Sequence, residues 1–330
     1  NDIYEHKDTE PNRLDNFHYP RFKKGNMKFS TIVCCFSGSE DWRCMQETIL
    51  YAENKIQESK YFSFQDDKEI QVFLAVEGMC GIKENVEEKV KWLYAHHVRL
   101  GSLCWNDENE LALGAKKGNK PLTEKGIQVI KEMNRLHMAI DTSHCCEWNF
   151  YDIARASEEP IIASHSNVKA LYNHYRNLSD PQLQVIKDKK GLVGAICVRW
   201  FVKKKEDKAT LQDYIEVIKY LKNHIGVEHI ALGFDFMDYI EGMEESNVIG
   251  IKDITEIGNI AIALDKNGFT KEEIRKICYE NAYKFMKDYF IYLKGSVATS
   301  TRLAYLEDIH FFCVYLTETK DITSADKPFD

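Results

Sequence analysis

The chain has no long apolar segment, no excess of basic residues and no CxxC spacing, and each absence removes a class of protein. No stretch of about 18 apolar residues occurs in its 330 residues, so the sequence predicts no membrane-spanning helix. The formal net charge of −8 implies no basic face and so argues against a nucleic-acid-binding protein. No internal repeat and no low-complexity tract is present.

The ten cysteines also lack the spacing of a metal-binding or redox motif. The adjacent pairs Cys34-Cys35 and Cys145-Cys146 are poorly placed to bridge each other, and Cys104 and Cys197 lie in apolar runs. A free thiol in such a run acts as a small core residue. This usage predicts a reducing compartment and therefore a cytoplasmic location. The first residue is not Met, which leaves a removed signal peptide open as an alternative.

Apolar runs that suit β-strands alternate with amphipathic helical patterns along the chain. The runs cover residues 27–36, 70–77, 99–105, 138–144, 160–165, 192–201 and 229–236. Helices are predicted over 122–136, 180–191 and 211–225, and a further one follows the capping box of Thr270 and Glu273. This alternation predicts a parallel sheet in one large α/β domain. Seven strands are recognised, whereas eight would close a barrel.

Polar residues end four of the apolar runs. Glu77 and Asp235 each close one run, and His144 and His165 close two others. In a barrel of parallel strands these ends converge on one face, so the four side chains are predicted to meet there. Two imidazoles and two carboxylates can hold a pair of zinc ions, with Ser143 or Ser166 orienting the rings. Metal-dependent hydrolysis is therefore the leading hypothesis.

Each of these residues also has a purely structural interpretation. Glu77 could face solvent at a strand end, Asp235 could cap a helix, and a buried histidine is often a hydrogen-bonded core residue. Arg176 follows the His165 strand and could clamp a substrate carboxylate in bidentate fashion, or it could pair with a surface acid. Lys203-Lys204-Lys205 is followed at once by Glu206 and Asp207, which favours a solvated loop over a binding patch.

An ordered series of motifs resembles the membrane (renal) dipeptidase family of zinc peptidases, and its bacterial-type members in particular. The series runs through Ile140-Asp141-Thr142-Ser143-His144, Ile162-Ala163-Ser164-His165-Ser166-Asn167 and Arg176-Asn177-Leu178-Ser179-Asp180. Glu77-Gly78 and Gly233-Phe234-Asp235-Phe236 fit the flanking motifs. The resemblance extends from the first residue to about residue 290.

The resemblance implies an α/β fold of the (β/α)8 TIM-like barrel type with two zinc ions, bridged by Glu77 and a hydroxide. His144 and His165 would hold one ion, and Asp2 and Asp235 would serve the other. Asp235 would also carry the proton, Arg176 would bind the C-terminal carboxylate of a dipeptide, and Trp105 and Asn106 would line the substrate pocket. Family members cleave dipeptides, often with a D-residue second, and are often homodimers.

Three departures from the family pattern keep other functions open. The first-strand His-x-Asp motif is represented by Asn1-Asp2 without its histidine, and Trp105 stands where many relatives carry a substrate-polarising histidine. The usual Asp-Phe-Asp-Gly is Asp235-Phe236-Met237-Asp238 here. The alternatives are another amidohydrolase acting on a carboxylate-bearing amide and a catalytically degenerate binding protein.

The end of the chain suggests a rearranged first strand. Lys327-Pro328-Phe329-Asp330 reads like the residues that precede the His-x-Asp motif in the family. The sequence therefore predicts a dipeptidase-like barrel over residues 1–294 and a tail, 295–330, that supplies the missing strand. The apolar run 310–316 within this tail is either a strand or a dimer contact.

Overall fold

Seven parallel strands curl around a shared interior in the computed structural model, which describes residues 1–204 and 207–291. Most of them are runs of β-branched and apolar residues that are buried on both faces, as in a sheet covered by helices. The strands are β1 (Phe29–Cys35), β3 (Ile70–Glu77), β4 (Val98–Ser102), β5 (Ala139–Asp141), β6 (Ile161–Ile162), β7 (Val193–Ala195) and β8 (Ile230–Leu232), with a short β2 (Phe62–Ser63) beside β3.

The strand order follows the chain, as expected for a (β/α)8 TIM-like barrel. The order is β1-β3-β4-β5-β6, and bonds such as Ala163 N to Leu192 O join β6 to the β7-β8 pair. The register sets Cys35 beside Glu77, Glu77 beside Ser102, and Ser102 beside Asp141. The carboxyl ends of these neighbouring strands are therefore level, and the side chains that follow them share one face.

Helices cover the outside of the barrel. They are α1 (Asp2–Glu5), α2 (Tyr19–Lys24), α3 (Trp42–Glu58), α4 (Val86–Ala95), α5 (Glu124–Arg135), α6 (Glu147–Ala156), α7 (Asp180–Asp188), α8 (Leu211–Ile225), α9 (Gly258–Lys266), α10 (Lys271–Arg275) and α11 (Asn281–Ile291). The predicted capping box of Thr270 and Glu273 is confirmed, and Thr123 caps the start of α5. No helix within 1–204 or 207–291 is long and apolar enough to cross a membrane.

Two predicted elements are interrupted in the structure. The run 192–201 is not one strand, because β7 ends at Ala195 and Arg199–Phe201 forms a 3-10 turn. The helix after Thr270 is not continuous either, since a π-helical turn at Lys276–Glu280 separates α10 from α11. Apolar sequence continues past both points, so hydrophobicity alone could not locate them.

Two glycines allow β6, β7 and β8 to meet closely above the barrel interior. An added Cβ at Gly194 or at Gly233 would lie 1.9 Å from the carbonyl oxygen of Ser164. No side chain fits in that space, so the position of Ser164, next to His165, depends on both glycines.

At its other end the barrel interior is closed by α11. Met286 is buried with Phe73, Leu100 and Ala139, and Phe29 packs against the same cluster. This apolar layer fills the barrel interior, away from the polar residues that follow the strand ends.

The outer edge of β1 is not paired by a strand in the described part of the chain. Gln71 N donates to Lys28 O, and Phe36 N donates to Glu77 O. The backbone N–H and C=O groups of the even-numbered residues of β1 therefore face β3. Phe29, Thr31 and Val33 therefore point their backbone groups away from β3, and Val33 is 40% exposed. The predicted contribution of the tail 295–330 lies outside the described residues.

Candidate metal centre

Three side chains converge at the carboxyl ends of the strands. Glu77 ends β3, and His144 and His165 follow β5 and β6. The Nε2 atoms of the histidines are 2.8 Å apart, and Oε1 of Glu77 lies 2.7 Å from His144 Nε2 and 3.3 Å from His165 Nε2. Within the described ranges these three residues are the set whose ligand atoms all lie within 4.8 Å of one another.

The other nitrogen of each imidazole already has a partner. His144 Nδ1 lies 3.2 Å from Oδ1 of Asn106, and His165 Nδ1 lies 2.7 Å from Oγ of Ser164. Both Nε2 atoms are thus left facing Glu77. Three electron-rich atoms at these distances repel one another unless a proton or a cation lies between them. The arrangement therefore fits a transition-metal ion bound by imidazole and carboxylate.

At Glu77 and His144 the local electrostatics favour the protonation states that metal binding needs. Burial would raise the pKa of Glu77, but the two neighbouring imidazoles hold it well below its usual range. Burial and the charge of Arg176 lower the pKa of His144 to about 4, so this ring is neutral at physiological pH. For His165, burial also lowers the pKa, but the hydrogen bond to Glu77 and the negative charges of Asp235 and Glu77 together outweigh burial and raise it.

Arg176 is a buried cation beside these groups. It is 4% exposed, and its Nε and Nη1 atoms have no hydrogen-bond partner in the described structure. Burial lowers its pKa, against the charges of Glu77, Asp235 and Asp141. A buried guanidinium with free N–H groups is costly unless an anion completes it. Arg176, which is predicted to bind a substrate carboxylate, therefore has unused donors close to the three-residue cluster.

Asp235 follows β8 and has a backbone conformation that side chains rarely adopt. Its φ is +53°, in the left-handed region, which marks positions where local geometry is held by its surroundings. Asp235 is exposed as a whole residue, and its carboxylate lies near the charged groups of Glu77, His165 and Arg176. Burial by the surrounding protein raises the pKa of Asp235, and the negative charge of Glu77 raises it further. The positive charges of His165 and Arg176 lower it, but by less.

The structure does not bring Asp2 into the three-residue cluster. Its carboxylate is bound by Nε of Arg13 at 2.5 Å and by Nε2 of His18 at 2.7 Å, and His6 lies 3.3 Å away. The physical reason is that a buried carboxylate needs compensating donors, and residues of its own N-terminal segment supply them. These partners hold the pKa of Asp2 well below its usual range.

Trp105 and Asn106, which were predicted to line the substrate pocket, both lie beside His144. The ring of Trp105 lies 6.1 Å from that of His144, at the edge of the site. Asn106 contacts His144 directly, so its amide orients a candidate ligand in this structure. Both residues adjoin the region that a substrate would enter, and their substrate contacts remain a prediction.

Sequence reasoning missed three contributors. Ser164, rather than Ser143 or Ser166, contacts the ring of His165, and Asp141 binds Ser164. Both residues belong to the motifs already quoted, but apolar-run patterns say nothing about which hydroxyl reaches a ring. Cys35 ends β1 beside Glu77 in the register, which places its thiol close to that carboxylate. Burial and the neighbouring Glu77 raise the pKa of this thiol.

Imidazole and carboxylate ligands at the carboxyl ends of parallel barrel strands define a class, the metal-dependent hydrolases of the TIM-barrel type. Within that class the assignment is more specific. The chain belongs to the membrane dipeptidase family, Peptidase family M19, whose sequence profile matches residues 47–292.

Two curated relatives illustrate the similarity. The dipeptidase tcpJ of Claviceps purpurea is 32% identical over 167 residues, which is 51% of this chain and 38% of that protein. An uncharacterized protein from the pqqA 5' region of Klebsiella pneumoniae is 30% identical over 235 residues, which is 68% of this chain and 84% of that one. The chain thus spans about two fifths of the length of the Claviceps protein.

Solved structures share the fold at low sequence identity. An amidohydrolase from Pseudomonas aeruginosa has a TM-score of 0.75 at 22% identity, covering 82% of this chain and 91% of that chain. A metallo peptidase from Rhodobacter sphaeroides, liganded with a phosphinate mimic of the dipeptide L-Ala-D-Ala, has a TM-score of 0.72 at 20% identity. That match covers 84% of this chain and 93% of the other.

Proposed function

We propose that this chain is a metallo-dipeptidase that hydrolyses L-Xaa-L-Xaa or L-Xaa-D-Xaa dipeptides with bound zinc. The observation that carries the proposal is the convergence of Glu77, His144 and His165 within 4.8 Å at three strand ends. The family membership and the name of the Claviceps relative support the same activity. The phosphinate ligand of the Rhodobacter protein, a mimic of L-Ala-D-Ala, supports the substrate class.

The residues around the cluster can divide the work of hydrolysis. A zinc ion bound there would lower the pKa of a bound water to about 7 and polarise the scissile carbonyl. The carboxylate of Asp235 would accept the proton of the attacking water and pass it to the leaving amine. Arg176 would bind the C-terminal carboxylate with its free N–H groups and so fix the peptide bond over the cluster.

The number of zinc ions is part of the proposal. His144, His165 and Glu77 would form one site, and a second ion would need Glu77, Asp235 and Asp2. The bonds from Asp2 to Arg13 and His18 would have to break for that second ion to bind. We therefore expect the first site to fill at lower zinc concentration than the second.

Dipeptide hydrolysis tests the proposal directly. Purified protein is assayed on a panel of L,L and L,D dipeptides with zinc added and with a chelator, and Glu77→Gln serves as the variant with a damaged metal cluster. Turnover that requires zinc and is lost in Glu77→Gln is the expected result. Absence of turnover at every zinc concentration would contradict the proposal.

Two other functions have specific support. The structural similarity to an amidohydrolase suits cleavage of another carboxylate-bearing amide, and turnover of acylated amino acids but not dipeptides would favour it. The pairing of Asp2 with Arg13, together with Trp105, suits a catalytically degenerate binding protein. Dipeptide affinity without turnover would favour that function.

Compartment and assembly are proposals as well. The nine cysteines within the described residues are all unpaired, which supports a reducing, cytoplasmic compartment. A homodimer remains a prediction from the family. Its measurement is the molar mass in solution by light scattering.

A further inference from the structure

A hydroxyl and a carboxylate lie in series behind His165. Nδ1 of His165 is 2.7 Å from Oγ of Ser164, and this hydroxyl is 2.5 Å from Oδ2 of Asp141. Asp141 is buried at the end of β5, 6% exposed. Its other oxygen accepts from the backbone N–H groups of Ser143 and Ser164 at 3.0 Å and from Oγ of Ser143 at 2.6 Å.

The hydrogen-bond inventory fixes the direction of this series. Backbone N–H groups only donate, so the carboxylate that they surround acts as the acceptor. The hydroxyl of Ser164 has one proton, and its short contact to Asp141 uses that proton. Toward His165 the hydroxyl can then offer only a lone pair. The imidazole must place its proton on Nδ1 and keep the lone pair of Nε2 for the cluster.

We propose that Asp141 and Ser164 are positioning residues that hold His165 in the tautomer and ring orientation required for metal binding. This inference rests on the proposed function for the identity of the site. The two histidines are held differently, since among the described residues Nδ1 of His144 has only the amide oxygen of Asn106, at 3.2 Å. His165 is therefore the more firmly oriented ligand, and its contribution depends on the charge of a buried carboxylate.

Three substitutions test whether these residues orient the His165 ring or only stabilise the local backbone. Ser164→Ala removes the hydroxyl between ring and carboxylate but leaves the other three bonds of Asp141 in place. Asp141→Asn supplies an amide donor, which lets the proton of Ser164 turn toward Nδ1 and favours the wrong tautomer. Ser143→Ala is the matched control: it removes a hydroxyl from the same carboxylate, and that hydroxyl contacts the backbone N–H of His165 and Oγ of Ser164, at 3.2 Å, without a hydrogen bond to the His165 ring in the described structure.

The readout is metal affinity, measured as zinc binding in competition with a chromophoric chelator and as the visible absorption spectrum of the cobalt-loaded protein. We expect Ser164→Ala and Asp141→Asn to weaken zinc binding by about 10- to 100-fold and to alter the cobalt spectrum. Ser143→Ala should change the affinity by less, and Ser164→Thr, which keeps a hydroxyl, should restore it. Thermal unfolding of the metal-free proteins shows whether each variant folds.

Two results would overturn the inference. One is a Ser164→Ala protein that binds zinc as tightly as the wild type, and the other is an equal loss of affinity in Ser164→Ala and Ser143→Ala. The outcome is separable from that of the proposed function. A wild-type protein that binds zinc but cleaves no dipeptide refutes the peptidase and leaves this inference standing, whereas a wild type that binds no zinc refutes both.

Discussion

At the scale of single residues, Arg176 offers the sharpest test of what the site recognises. Its guanidinium is buried, and two of its nitrogen atoms have no hydrogen-bond partner in the part of the chain that the structure describes, so it is prepared for an anion. We expect Arg176→Met to lower kcat/KM for dipeptides by about 100-fold or more, because a desolvated charge pair to the carboxylate is lost. Hydrolysis of the matching dipeptide amides, which lack that carboxylate, should change little.

The measurement compares the two substrate series in one set of steady-state assays. Arg155→Met, at an exposed arginine of α6, is the control for the substitution itself. Arg176→Lys keeps the charge but loses the planar fork, and an intermediate effect is expected. An equal fall in kcat/KM for dipeptides and dipeptide amides would show that Arg176 supports the site without reading the carboxylate.

At the scale of elements, the close packing of the ends of β6, β7 and β8 positions His165. Gly194 and Gly233 leave room for the carbonyl of Ser164, and an added Cβ at either position would lie 1.9 Å from it. We expect Gly233→Ala to destabilise the fold by about 1–3 kcal/mol and to weaken zinc binding, since Ser164 and His165 must shift. Denaturant unfolding and chelator competition measure the two effects.

Gly242→Ala is a suitable comparison for that variant. Its φ of +80° makes alanine unfavourable, but no atom of the described residues lies within 4 Å of the added Cβ. It should lose stability through backbone strain alone and keep its zinc affinity. Equal zinc affinities in Gly233→Ala and the wild type would show that the strand ends tolerate the shift.

The elements also show what the sequence could and could not predict. Glu77, His144 and His165 were predictable because a polar residue at the end of a buried parallel strand has a known place in a barrel. The end of β7 was not, because apolar residues continue from Ile196 through Val198 after the ladder stops. The pairing of Asp2 with Arg13 and His18 depends on the path of the first helices, which no local pattern specifies.

At the scale of the whole molecule, the edge of β1 makes the predicted role of the tail testable. The backbone groups of Phe29 and Thr31 point away from β3, and no strand of the described structure pairs with them. If residues 295–330 supply the eighth strand, these amides are protected in the full chain. Deleting 295–330 should then speed their hydrogen exchange by about tenfold or more, with little change at Leu100 inside β4.

Hydrogen exchange with mass spectrometry, on peptides covering 28–36 and 98–102, makes this comparison. Light scattering on the same samples shows whether the chain is monomeric when these amides are protected. Equal exchange of Phe29 and Thr31 with and without the tail would contradict the prediction, and protection found only in a dimer would assign the edge to a second copy.

The left-handed backbone of Asp235 has a consequence for how this protein can change over generations. Glycine adopts a φ of +53° without penalty, whereas aspartate at that position bears a conformational cost. A change to glycine there would relax the fold while removing the carboxylate that the proposed chemistry uses. Selection for stability and selection for activity therefore oppose each other at this codon. A lineage that no longer needs the activity should lose Asp235 early, and its retention in a set of descendants would record continued use of the site.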